Sequence, residues 1–156
     1  MVTRAERTAS NPDLGVLSGR LLFAVQRELF TKLTELGFGD LKPRHGAVLA
    51  YLDPDGVRAT DLAQLSGQHK QIIGTLIDEL ESLGYVERRP DPSDRRAKLV
   101  CPTGRGLAQM QAADRIMAEM QERHAERLGR GEYALFKRML VDITEHQRLA
   151  GRSSRD

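Results

Sequence analysis

Two short stretches of helical periodicity abut across one glycine and run straight into a hairpin rich in basic residues, and few folds accept that order. Residues 60 to 65 form the first stretch, with Thr60 a good N-cap, and Gly67 breaks it. A second apolar stripe of Ile72, Ile73, Leu76, Ile77, Leu80 and Leu83 marks a helix from about His69, and Gly84 stands where a left-handed C-cap is wanted. Residues 85 to 89 and 98 to 101 then read as two strands, joined by the turn formers Pro90-Asp91-Pro92-Ser93-Asp94. A helix held off the body by another helix, with a projecting ribbon beside it, is the arrangement that reads a base-pair edge in the major groove.

The flanking sequence supplies long helices. Apolar residues recur at Leu14, Leu17, Leu21, Val25, Leu29, Leu33 and Leu36 in steps of three and four, one amphipathic helix ended by Gly37 and Gly39. Pro43 suits the first turn of a second helix to about Leu52, before the turn Asp53-Pro54-Asp55-Gly56 and a short strand at 57 to 59. After the hairpin, Thr103 can cap a helix to about Leu128 along the stripe Leu107, Met110, Met117, Met120 and His124. A last helix runs from Glu132 to about Leu149 with Tyr133, Phe136, Leu140 and Ile143 on one face. The reading is mainly α with a small β-wing: a winged helix-turn-helix with long N- and C-terminal dimerisation helices. Residues 1 to 36 are an N-terminal arm and dimerisation helix, 37 to 103 the winged unit, 104 to 150 C-terminal dimerisation helices, and 151 to 156 a disordered tail.

Charge supports this only locally. The whole chain of 156 residues carries 24 basic and 22 acidic side chains, a formal +2, which argues for no polyanionic partner by itself. Residues 85 to 105, however, hold Arg88, Arg89, Arg95, Arg96, Lys98 and Arg105 against Glu87, Asp91 and Asp94, a local +3. Arginines at a ribbon tip suit the negative potential of a narrow minor groove; a charged edge strand that resists aggregation is the competing reading. Asp94 would be a poor neighbour for phosphate, so its expected task is to hold an arginine by a bidentate pair. On the second helix, Gln68, His69, Lys70, Gln71 and Thr75 form a polar face without acid, fit either for base edges or simply for solvent. Gly74 among them would permit close approach to a backbone.

Other chemistries find little footing. One cysteine, Cys101, excludes an internal disulfide framework and suits a reducing compartment, and His45, His69, His124 and His146 have no metal-ligand spacing. No phosphate loop, Ser-His-Asp set or His-Glu-x-x-His motif is present, so neither an enzyme nor a cofactor is expected. Without an apolar run of eighteen residues or an apolar leader, the chain is expected in the cytoplasm and not in a membrane.

Asp61-Leu62-Ala63, the run LIDELESLGYVERRPDPSDRRAKLV from Leu76 to Val100, and then Thr103 and Gly106 resemble the MarR family of bacterial transcription regulators. The resemblance follows the helix order from about Leu14 to Ile143, and its specific part lies between Thr60 and Gly106. It implies a homodimer on double-stranded DNA, with Asp94-Arg95-Arg96 as the wing motif and Arg96 as a minor-groove finger. Two positions depart from the family pattern: Pro102 stands for a usual leucine, and Gly104 for a usual acid. Since proline cannot donate to a ladder, the second wing strand is expected to end by Cys101. Many relatives answer to small aromatic or phenolic anions, for which the resemblance points to Leu17, Leu21, Arg44, His45, Leu49, Leu107 and Met110. The implied function is a repressor released from a palindromic operator by such an effector. A protein-interaction winged helix without DNA binding, or a thiol redox sensor through Cys101, are the alternatives.

Overall fold

The computed structural model describes residues 3 to 153 and divides into two compact bodies at Asp114 and Arg115. In the first, helix α1 (Arg4–Ser10) is closed by a capping box in which the Thr3 hydroxyl accepts from the Glu6 N–H and the Glu6 carboxylate accepts from the Thr3 N–H. The N-terminal arm is thus helical over these residues. Helix α2 (Leu14–Glu35) starts on Asp13, whose carboxylate accepts from the Val16 N–H at 2.9 Å, and ends before Gly37 at φ +94°. Of its apolar stripe only Leu33 is buried; Leu14, Leu17, Leu21, Leu22 and Phe23 are exposed.

The second expected helix is shorter than its pattern suggests: a 3-10 turn (Pro43–His45) followed by a single α turn, α3 (Gly46–Leu49). Strand β1 (Val57–Arg58) passes directly into α4 (Ala59–Ser66), so Arg58 is the N-cap and Thr60 lies inside the first turn instead of capping it. Gly67, at φ +71°, closes α4 in the left-handed conformation, and α5 (Lys70–Ser82) begins three residues later.

Strands β2 (Val86–Asp91) and β3 (Asp94–Pro102) are longer than expected and leave a two-residue tip. The sheet is antiparallel in the order β1-β3-β2, with Val57 opposite Val100 and Arg58 opposite Leu99 on one side, and Val86 opposite Pro102 on the other. Pro102 therefore belongs to the strand after all. β1 reaches only to Val100, so at 102 the strand has one neighbour, and a missing N–H on the open side costs no ladder bond. Pro90 is tolerated in β2 for the same reason, as an edge position.

These elements close over one core in which Leu62, Ile73, Ile77, Leu80 and Tyr85 are fully buried with Val48 and Val86. Burial of each large aliphatic side chain contributes about 1.5–3 kcal/mol, so the stripe on α5 is the main fastening of that helix. Ile72, placed by its period in that stripe, stands apart from it at 45% exposure.

Helix α6 (Gly104–Leu128) starts on Thr103, whose hydroxyl accepts from the Gly106 N–H at 3.1 Å. Its buried line is Gly106, Gln109, Ala112, Ile116 and Met120, so the face is turned from the expected one and Leu107 is exposed. In the second body, Gly129 at φ +95° joins α6 to α7 (Arg130–Ser153), and Arg130 pairs with Glu122 across the bend. Phe136, Met139, Leu140, Val141 and Ile143 of α7 are exposed. The helix continues through residues 151 to 153, where an irregular tail was expected; residues 154 to 156 lie outside the described residues.

Candidate nucleic-acid interface

The α4–α5 turn is better made than its polar residues suggest. Ser66 Oγ accepts from the Gln68 N–H at 3.3 Å, so a serine where an apolar residue would be ordinary satisfies the backbone of the turn. With Ala63, Ile73 and Leu76 facing the core, Gln68, His69, Lys70, Gln71 and Thr75 are all left exposed on the outer side of α5. Thr75 donates its hydroxyl proton to the Gln71 carbonyl at 3.1 Å and keeps its oxygen as an acceptor. A Cβ added to Gly74 would meet open space. The exposed Ile72 lies three residues from Thr75 along α5, on the same face, and brings an apolar surface that a thymine methyl can meet.

The six cations of residues 85 to 105 fall into two groups. Arg88 donates to Asp78 at 2.5 Å and also pairs with Glu81; Arg89 pairs with Glu87; Arg105 lies 3.0 Å from Asp40. Arg95, Arg96 and Lys98 are exposed, and no acidic partner neutralises any of them among the described residues. The register explains their setting: Pro90 faces Lys98, but the next residue, Asp91, faces Asp94. The three residues between, Arg95, Arg96 and Ala97, have no counterpart in β2 and form a bulge.

Asp94 makes no bidentate pair with an arginine, only a looser ion pair with Arg58. Its Oδ1 accepts from the Arg96 backbone N–H at 3.0 Å, which shapes the bulge, and its Oδ2 is 3.8 Å from Arg58. The arginine-holding carboxylate is Asp91. It is 6% exposed, takes Arg58 Nε and Nη2 on Oδ2 at 2.8 and 2.5 Å, and takes the Ser93 N–H and hydroxyl on Oδ1 at 2.8 and 2.7 Å. The bonds from Ser93, then that from Arg58, push its pKa down to about 2. Arg58, Asp91 and Ser93 were missed because the pair is 33 residues apart in sequence; Ser93 two places after Asp91 was the local clue to a side-chain turn.

Behind the wing, the start of α6 is tied to the end of α5. The Tyr85 hydroxyl donates to Asp40 at 2.5 Å, and Arg105 donates to the Leu83 carbonyl at 2.7 Å; Thr103 donates its hydroxyl to the Gly84 carbonyl at 2.6 Å.

The seven positions suggested for an effector have varied surroundings. His45 is 2% exposed: its Nδ1 accepts from the Lys42 N–H at 3.0 Å, so Nε2 carries the proton and donates to Glu79 at 2.8 Å. Arg44 Nε donates to the same Glu79 oxygen at 3.0 Å, and these two donors hold the Glu79 carboxyl below its usual range. Leu49 is in the core and Met110 packs partly buried against it, while Leu17, Leu21 and Leu107 are exposed. Cys101 is buried with its Sγ 4.0 Å from the Asp55 carbonyl, against Gly56, where an added Cβ would come within 2.5 Å of the sulfur. Among the described residues no cluster of His, Cys, Asp and Glu could hold a metal ion, and no helix is long and apolar enough to cross a membrane.

Known proteins share this arrangement. A family model described as the MarR family matches residues 39–97. The transcriptional regulator HosA of Escherichia coli O111:H- is 27% identical over 99 residues, covering 64% of this chain and 73% of that protein. Among solved structures, CouR from Rhodococcus jostii RHA1 bound to p-coumaroyl-CoA superposes with a TM-score of 0.69 at 29% identity, over 84% of this chain and 91% of CouR. The repressor CouR bound to a 23-mer DNA duplex gives 0.70 at 26% identity, over 91% and 98% of the two chains.

Proposed function

Because this chain belongs to the MarR family of transcriptional regulators, we propose that it is a homodimeric repressor that leaves a palindromic operator when a small aromatic or phenolic anion binds. The observation that carries the DNA reading is the sorting of the cations of residues 85 to 105. Three are neutralised within the protein, and Arg95, Arg96 and Lys98, on the bulge and beside it, are left for another anion. In this reading residues 37 to 103 form the DNA-binding unit. Gln68, His69, Lys70, Gln71 and Thr75 face base edges in the major groove with Ile72 against a thymine methyl, and the wing arginines enter the minor groove.

Residues 1 to 36 and 104 to 150 pair the protomers. The exposed leucines of α2 and the exposed apolar face of α7 favour this, since apolar patches of such extent are uncommon on a monomer. A two-fold dimer would set its two α5 helices about 34 Å apart, one turn of DNA. The anionic effector is supported by the p-coumaroyl-CoA carried by CouR. Arg44 would have to leave Glu79 to meet such an anion. The protein would act in the cytoplasm.

A mobility-shift titration on the DNA upstream of its own gene tests the reading. Binding should fall steeply with salt and be markedly, though still measurably, weaker in Arg96→Ala. Affinity no greater for that DNA than for a scrambled duplex would leave a winged helix that does not regulate through DNA.

A further inference from the structure

We propose that Arg58 is a positioning residue of this interface: held on Asp91, it fixes the angle at which the wing carries Arg95 and Arg96, without itself touching DNA. The inference rests on the wing entering the groove as proposed above. β1 is two residues long and pairs with β3 only at Val100 and Leu99, so backbone support on that side of the sheet stops at the root of the wing. The Arg58 side chain extends it. Nε and Nη2 both donate to Asp91 Oδ2, at 2.8 and 2.5 Å, and Asp91 is the last residue of β2, beyond the bulge that holds the two arginines.

Asp91 is fully engaged, with two bonds from Arg58 and two from Ser93, and almost fully buried. A carboxylate at the tip of a ribbon that meets a polyanion works against binding, unless its charge is compensated and its geometry is needed. Arg58 does both: it cancels the charge and ties the tip back to the strand leading into α4. A direct phosphate contact would need Arg58 to turn its fork away from Asp91.

The two roles predict opposite signs for one variant. Asp91→Asn removes negative charge beside the DNA, so electrostatics alone would tighten binding; a positioning role weakens it, by about tenfold. Fluorescence anisotropy of the full chain on a labelled duplex from its own upstream region would read this, with a melting curve for each variant. The loss should vanish in an Arg96→Ala background, where there is no finger left to aim. Ser93→Ala, which removes one bond to Asp91 and no charge, should give a smaller loss of the same sign. The double exchange Arg58→Asp with Asp91→Arg should recover part of the affinity. Binding of Asp91→Asn as tight as that of the unaltered protein, or an equal loss in the Arg96→Ala background, would overturn the role of Arg58. An Arg96→Ala protein that binds normally would instead remove the wing reading, and this inference with it.

Discussion

Gly106 stands so close beneath Tyr85 that a Cβ built on it would come within 2.1 Å of the Tyr85 carbonyl oxygen. The neighbour is backbone, fixed by the Thr103 N–H donating to that same carbonyl at 3.0 Å, so it cannot swing aside. Gly106→Ala must push α6 away from the end of α5 and should cost about 3 kcal/mol. Urea unfolding of the two proteins would check this; a loss below about 0.5 kcal/mol would mean that the junction gives way freely.

The two groups of hairpin cations should separate in salt titrations. Alanine at Arg95, Arg96 or Lys98 should each lower the slope of log affinity against log salt by roughly 0.9, the value of one released counterion. Alanine at Arg88 or Arg89, already paired with Asp78, Glu81 or Glu87, should leave the slope nearly unchanged. Equal effects in both groups would show that the internal pairs open on DNA.

Acid should weaken the fold in a defined window. Asp91 is lowered from 3.8 to about 2 by Ser93 and then Arg58, so between those values the unfolded chain binds the proton and the folded chain does not. Its stabilising contribution is complete above 3.8 and is lost as pH falls toward 2. Asp40 acts in the same direction: burial works against its charge, but the Tyr85 hydroxyl and Arg105 hold its pKa down. Stability measured by urea unfolding should be flat in these terms near neutrality and fall below about pH 4, with a shallower acid limb in Asp91→Asn.

Gln109 is 3% exposed, and its Oε1 has no hydrogen-bond partner among the described residues. An unmet buried acceptor is costly, and a methionine of similar length removes it without opening a void. Gln109→Met should therefore raise stability by about 1 kcal/mol, seen as a rise in melting temperature of about 2 to 4 °C. A lower melting temperature would mean that the amide makes a contact its methionine substitute cannot.

Periodicity and turn chemistry made much of this fold legible. The stripe Ile73, Leu76, Ile77 and Leu80 located α5, Gly67 and Gly84 located its neighbouring turns, and Thr103 located the start of α6. Contacts distant in sequence were not legible. Nothing local distinguishes Arg88, held by Asp78 and Glu81, from Arg96, which is exposed in the bulge. Asp94 and Asp91 are alike on paper, and only the placement of Arg58 decides that Asp91 takes its two hydrogen bonds while Asp94 keeps a looser ion pair. The face of α6 was misjudged because large residues were followed, while Gly106 was chosen by the carbonyl it lies against. His45 looked like a ligand-facing polar residue; its burial between the Lys42 N–H and Glu79 depends on a helix 34 residues away.

The bulge at Arg95, Arg96 and Ala97 has a meaning for how such a protein can change over generations. Because these three residues face nothing in β2, the alternation of sides that pairing imposes on the rest of β3 does not bind them. A substitution there, or a gain or loss of one residue, can alter what the wing offers to a groove while Lys98 to Pro102 keep their partners. The reach and chemistry of the tip can drift under selection for new operators, and the scaffold that carries it need not be refolded.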